Sequence, residues 1–260
     1  MESKKSNTKR YGLIGRNIAY SFSRGYFKQK FETENLHDCS YENFDLKQIE
    51  ELKNVFAQNN ICGLNVTTPY KREVIPFLDR LSPAAEEMNA VNTIKFHQDG
   101  SISGHNTDVY GFEKSLLEII NKTPKKALIL GTGGAASAVA YVMRKLEIEF
   151  SYISRRVGEN SINYEAVDET VINEHPLIIN ASPVGTFPNI DQAPDLPYPY
   201  LSIDHVLYDL IYNPPETRFL KEGKTRGCKI LNGQKMLVYQ AEKSWDIWNQ
   251  YEGIFFFCKF

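Results

Sequence analysis

Apolar and polar positions along this chain fall into blocks whose period switches between two, the repeat of a half-buried strand, and about 3.6, the repeat of an amphipathic helix. The run YGLIG at 11–15 predicts a short buried strand ending in a glycine turn. A polar loop over 16–24 and a helix over 25–34 follow, with Asn35 as the stop because asparagine tolerates the left-handed conformation on which helices often end. Residues 39–44 predict a second strand, and Leu46, Ile49, Leu52, Val55 and Phe56 sit at helical spacing, predicting a helix over 46–58. ICGLNV at 61–66 predicts a third strand and 71–81 another helix. The alternation in 90–96 and 101–104 around Asp99-Gly100 predicts a hairpin. A helix over 109–120 comes next.

The second half repeats the rhythm. A strand at 127–130 breaks into glycines, and a helix over 135–146 and a strand at 150–154 follow. Strands at 177–180 and 206–210 flank a proline-rich loop over 183–199. A helix beginning at 217, a short strand at 229–231 and an amphipathic helix over 236–248 complete the pattern. Strand and helix alternating in this way predict an α/β protein whose binding residues gather at strand ends.

One connection carries chemistry by itself. Gly131, Thr132, Gly133, Gly134, Ala135 and Ala136 stand between an apolar strand and a helix start with the spacing G-x-G-x-x-A. Such a turn lets backbone N–H groups approach a pyrophosphate, and the positive end of the helix dipole favours the phosphate charge. The next strand ends in Ser154, Arg155 and Arg156, where an NAD site usually carries an acid for the ribose hydroxyl. Guanidinium groups grip a 2′-phosphate and a carboxylate would repel it, so the reading is NADP rather than NAD.

Composition narrows the function classes. At 260 residues and 42% hydrophobic the chain can build one large or two modest cores. Its 30 basic and 32 acidic residues leave a net charge of -2 and no basic stripe, which argues against nucleic-acid binding. The four cysteines are scattered and the five histidines isolated, so neither a metal centre nor a disulfide framework is expected. Residues 1–10 are polar and read as a mobile tail, not a secretion signal. No apolar run reaches membrane-spanning length, and the longest late one, 254–257, is expected to pack on the first domain or, alternatively, to form an interface patch. The expectation is therefore a cytoplasmic protein without membrane or nucleic-acid partners, and composition leaves open whether it is a monomer or homodimer.

Eight segments occur in the order found in shikimate dehydrogenases. They are Tyr20-Ser21-Phe22-Ser23, Asn65-Val66-Thr67-Thr68-Pro69-Tyr70-Lys71, Ala90-Val91-Asn92-Thr93 and Asn106-Thr107-Asp108, then the glycine loop, Asn180-Ala181-Ser182, Tyr208-Asp209-Leu210-Ile211-Tyr212, and Gly233 with Met236-Leu237-Val238-Tyr239-Gln240. The chain therefore resembles that family over nearly its whole length. The resemblance implies an N-terminal α/β substrate domain (1–107 plus 236–260) and a Rossmann-type NADP-binding domain (108–235), with the C-terminal helix returning to the first. It implies reversible, NADP-dependent reduction of 3-dehydroshikimate to shikimate, with Lys71 as acid/base and Asp108 as its partner. Substrate contacts would come from Ser21, Ser23, Asn65, Thr67, Asn92, Tyr212 and Gln240. Cofactor contacts would come from Gly131, Thr132, Gly133, Gly134, Ala135, Ser154, Arg155, Arg156, Ser182, Leu210 and Gly233.

The residue types suit this chemistry. Hydride reduction of a ketone needs a proton donor at the oxygen, and the reverse reaction needs a base there. Serines bind a carboxylate without adding charge, and amide side chains pair with hydroxyls. The chain departs from the family at Asn17 and Arg24, where proline is usual, at Tyr20, where histidine is usual, and at Gln234-Lys235 in place of Leu-Gly. The competing expectations are a quinate/shikimate dehydrogenase with relaxed cofactor use and a non-catalytic binding protein of the same fold.

Overall fold

The computed structural model describes residues 8–19, 21–155 and 161–250. The chain divides into two compact units, Met1–Thr107 with Ala241–Phe260, and Asp108–Gln240. Expectations for residues 1–7, Tyr20, Arg156 and 254–257 fall outside the described residues.

The first unit is built on β1 (Lys9–Gly15), β2 (Cys39–Asp45), β3 (Ile61–Val66), β4 (Arg80–Leu81), β5 (Thr93–Phe96) and β6 (Ile102–His105), in the order β2-β1-β3-β5-β6-β4. β1 pairs in parallel with β2 and β3, while β3, β5 and β6 form an antiparallel run. Strand side chains alternate between faces. Ile14, Leu64, Val66 and Ile94 accordingly join one core, and Tyr11 and Leu13 join a second with Phe27, Phe31 and Trp248. Lys9 and Arg10, expected in a tail, are part of β1, because Arg10 is clamped by two 2.8 Å bonds to Glu42 on β2.

Its helices are α1 (Phe22–Thr33), α2 (Leu52–Phe56) and α3 (Pro83–Met88). α1 begins earlier than its periodicity predicts because Ser21 caps it, accepting from the Arg24 N–H. The helix expected over 46–58 shrinks to a 3-10 turn at Ile49–Glu51 leading into α2. The helix expected over 71–81 does not form. Pro76 has no N–H to give and its ring blocks continuation, so the segment turns after Tyr70 and closes as a 3-10 helix at Ile75–Phe77. Periodicity does not reveal α3, yet it carries a Ser82 cap, a proline at its start and a left-handed Asn89 at its end.

The second unit holds α4 (Asp108–Ile119), β7 (Lys126–Leu130), α5 (Gly134–Lys145), β8 (Glu149–Ile153), β9 (Ser161–Ile162), α6 (Glu169–Glu174), β10 (Leu177–Asn180), β11 (Val206–Asp209), α7 (Arg218–Thr225) and β12 (Lys229–Leu231). Its sheet is wholly parallel, in the order β12-β11-β10-β7-β8-β9. This is the doubly wound Rossmann order, in which the chain leaves β7 to one side, then returns to build the other side from β10. Leu128, Leu130, Ile178 and Leu207 are fully buried in one of its cores.

The last helix, α8 (Gln234–Asn249), starts in the second unit, and its residues from Ala241 onward belong to the first. There Trp248 donates from its indole to the Ile94 carbonyl at 2.9 Å. A Cβ on Gly63 of β3 would stand 2.3 Å from the Trp248 ring, so the indole occupies the space a side chain would need. Among the described residues no helix is long and apolar enough to cross a membrane, and no cluster of His, Cys, Asp and Glu could hold a metal.

Candidate active site

In the first unit the expected substrate residues converge where β1 and β3 end. Ser21 and Ser23 stand at the start of α1, Thr67 begins the turn after β3, and Asn65 is buried within it. A Cβ on Gly15 would meet the Thr67 methyl at 2.6 Å, which shows how closely the two strand ends approach. Asn65 and Thr93 are cross-strand partners on β3 and β5. The Asn65 carboxamide oxygen accepts from Tyr41 at 2.8 Å, and its nitrogen lies 3.0 Å from Ser244 Oγ and 3.3 Å from Thr93 Oγ1.

Asn92 is held from the other side. Its side-chain oxygen accepts from the Thr107 N–H at 2.7 Å, from Thr107 Oγ1 at 3.2 Å and from Thr93 Oγ1 at 3.1 Å. With that oxygen engaged, the NH2 is what Asn92 can offer a ligand. Tyr41, whose hydroxyl is also bonded to Ser23, has its pKa pushed far up by burial and so remains a neutral donor. Tyr41, Thr107 and Ser244 had no signal as network members, because their partners lie up to 179 residues away in sequence. Lys71 is half-buried, and its carbonyl accepts the Val91 N–H at 2.7 Å, which anchors its backbone. Asp108, Tyr212 and Gln240 belong to the second unit: Asp108 opens α4, Tyr212 is exposed after β11, and Gln240 donates to the Leu237 carbonyl at 3.1 Å.

In the second unit a cavity of about 640 Å³ opens at the carboxyl ends of β7, β8 and β10. Gly131, Thr132, Gly133, Ser154, Arg155 and Ser182 line it, six of the residues expected to hold a cofactor. Gly131 has φ +104°, a conformation that favours glycine, and its N–H is bonded to the Ile153 carbonyl. Gly133 and Gly134 differ in kind. A Cβ on either would meet nothing within 4 Å, and Gly133 has φ -81°, which any residue adopts. Neither packing nor backbone explains these two glycines; their missing side chains leave open the N-terminus of α5, the kind of helix end that favours an anion.

Gly134 and Ala135 are the exposed first residues of α5. Leu210 and Gly233 are not among the residues lining the cavity; they face each other, and a Cβ on Gly233 would stand 2.1 Å from the Leu210 carbonyl oxygen. The sequence did not single out Asn163, Tyr164, Glu165 or Asp195, which also line the cavity. Tyr164 and Glu165 open a three-residue 3-10 helix that follows Asn163, and Asp195 lies in a loop, so none of them sits in a periodic stretch or at motif spacing.

A buried acid stands nearby. Asp209 at the end of β11 is 0% exposed, and desolvation raises its pKa from 3.8 to about 6 even though Thr217, Ile211 and Asn180 all donate to it. A carboxyl whose pKa is higher folded than unfolded stabilises the fold fully below pH 3.8, and that contribution disappears as pH rises through 6. The parent protein is expected to lose ~1–3 kcal/mol relative to an Asp209→Asn variant between about pH 4 and 7. Urea unfolding of both proteins across that range checks it, and parallel stability curves would refute it.

The strand order, the switch point between β7 and β10 and the glycine turn above it define an α/β protein of the dinucleotide-binding Rossmann class. A family model described as the shikimate dehydrogenase substrate binding domain matches residues 13–94. A Methanococcus maripaludis protein named shikimate dehydrogenase (NADP(+)) is 38% identical, across 94% of this chain and 92% of its own length. The shikimate 5-dehydrogenase of Thermus thermophilus, solved with NADP(H) and shikimate, is 30% identical with a TM-score of 0.79, covering 93% of this chain and 94% of its own. A quinate dehydrogenase from Corynebacterium glutamicum, solved with NAD, is 26% identical with a TM-score of 0.84, covering 94% and 95%. The chain belongs to the shikimate dehydrogenase family.

Proposed function

We propose that the protein catalyses the reversible, NADP-dependent reduction of 3-dehydroshikimate to shikimate, acting in the cytoplasm as a monomer or homodimer. The observation that carries this reading is the pair of glycines whose missing side chains leave open space at the head of a Rossmann sheet, in a chain of this family. Bound NADPH supplies the hydride that goes to the carbonyl carbon. Lys71 gives the oxygen its proton during reduction and removes it from the hydroxyl during oxidation, and Asp108 orients both the lysine and the substrate. Ser21 and Ser23 hold the carboxylate through hydroxyl donors. Asn65, Thr67, Asn92, Tyr212 and Gln240 pair with the ring hydroxyls, so a substrate missing one leaves a buried polar group unsatisfied.

The backbone N–H groups of residues 132–135 would take the pyrophosphate, with Gly131 supplying the turn that lets it approach, and Ser182, Leu210 and Gly233 would hold the nicotinamide end. Ser154, Arg155 and Arg156 take the 2′-phosphate. Removing one charge-assisted contact costs about 1.5 kcal/mol or more. Arg155→Ala is therefore expected to raise the KM for NADP+ about tenfold or more while leaving that for NAD+ unchanged. Equal losses with both cofactors would take Arg155 out of phosphate recognition.

A second reading, quinate oxidation with NAD+, draws on the likeness to the quinate dehydrogenase and on Glu165 and Asp195 at the cavity, since carboxylates suit ribose hydroxyls. Mixing the purified protein with shikimate or quinate and either NADP+ or NAD+, and following the absorbance band of reduced nicotinamide, separates these. Shikimate with NADP+ should respond fastest. Silence in every combination would leave a binding protein without turnover.

A further inference from the structure

Asp209 is a buried carboxylate with no cationic partner among the described residues. Its Oδ1 accepts from Asn180 Nδ2 and from the Ile211 N–H, both at 3.0 Å, and its Oδ2 accepts from Thr217 Oγ1 at 2.6 Å. All three donors are neutral, so the negative charge stays uncompensated inside the unit. Its reach toward the cavity is short. The Asn180 carboxamide oxygen accepts both the Ser182 N–H at 3.1 Å and the Ser182 hydroxyl at 2.7 Å, and Ser182 lines the cavity with Gly131 and Thr132. In the other direction Asp209 is bonded directly to Leu210, whose carbonyl is pressed against Gly233.

We infer that the Asp209 carboxylate, held at the carboxyl edge of the sheet by neutral donors alone, biases the cofactor site toward the oxidised, positively charged nicotinamide over the neutral reduced form. This rests on the reading that Ser182, Leu210 and Gly233 hold the nicotinamide end. A charge in a low-dielectric wall acts on a ligand charge without touching it. NADP+ and NADPH differ at the ring by one positive charge, so a nearby fixed negative charge favours the first and is nearly indifferent to the second. The burial that lifts this carboxyl to about 6 still leaves it ionised at pH 8. The desolvated charge is retained at a cost to the fold, which a structural role filled by any neutral acceptor would not require.

Asp209→Asn separates charge from shape. Its oxygen can keep the bonds from Asn180 and Ile211, and its NH2 can donate to the Thr217 hydroxyl oxygen, which also accepts the Leu220 N–H at 3.4 Å. Binding of NADP+ and of NADPH to the whole protein is measured by fluorescence titration at pH 8. The variant is expected to bind NADP+ about five- to tenfold more weakly and NADPH within about twofold of the parent. Thr217→Val disturbs the same cluster without removing the charge, and it should move both affinities together or neither. Asp209→Ser, which keeps a small neutral acceptor, gives the same reading should the amide not fold. Equal shifts for the two cofactor forms in the Asp209 variants, or no shift, would overturn the inference. A parent protein that binds neither form would instead overturn the reading of the cofactor site, and the inference falls with it.

Discussion

Replacing Lys71 with methionine is expected to lower kcat about a thousandfold while leaving NADP+ affinity within about twofold, as positioned general acid-base groups contribute roughly 10²–10⁴ in rate. Methionine approximates the length of the lysine stem and removes only the proton-carrying head. The backbone at this position is held independently of the ammonium, because the Lys71 carbonyl takes the Val91 N–H and Tyr70 beside it is fully buried, its hydroxyl bonded to the Leu46 carbonyl at 2.7 Å. The cavity proposed for the nucleotide is lined wholly by residues of the other unit. Steady-state kinetics with shikimate and a separate NADP+ titration make the comparison. A variant that retains most of its kcat would remove Lys71 from proton transfer.

Gly133→Asp is expected to weaken NADP+ binding about a hundredfold without lowering the melting temperature. Gly133 is the N-cap of α5 and carries no capping side chain. Aspartate is among the preferred residues there, gaining a few tenths of a kcal/mol over glycine through its bond to the first-turn N–H groups and the helix dipole. A Cβ added at this position meets nothing within 4 Å, so the substitution is accommodated without a clash. The carboxylate would occupy the place and mimic the charge of the phosphate it excludes, so affinity and stability should move in opposite directions. If both fell together, Gly133 would be there for folding and the cavity would lose its assignment.

Much of this arrangement was legible in the residue order. Strands announced themselves through apolar runs such as ALIL before Gly131, and the glycine turn was recognisable because a strand precedes it and a helix follows. Periodicity failed where a local rule overrode it, as at Pro76, which ends helical bonding inside an otherwise amphipathic stretch. It also could not reveal partnerships between distant residues. Asn65 was readable as a candidate, but Ser244, which shares its amide, sits on a helix near the other end of the sequence. Asp209 lay inside a quoted motif, yet its interest comes from burial beside neutral donors, which a one-dimensional pattern does not record.

The indole seated on Gly63 bears on how the polypeptide is made. During vectorial synthesis β1, β2 and β3 leave the ribosome long before Trp248 and Ser244 exist, so the aromatic seat on Gly63 stays bare and the Asn65 amide lacks its hydroxyl neighbour. Maturation of the amino-terminal half must therefore wait until the Rossmann portion has been translated and the closing helix emerges. A nascent fragment ending at Thr107 is a half-lined shell awaiting its final stave.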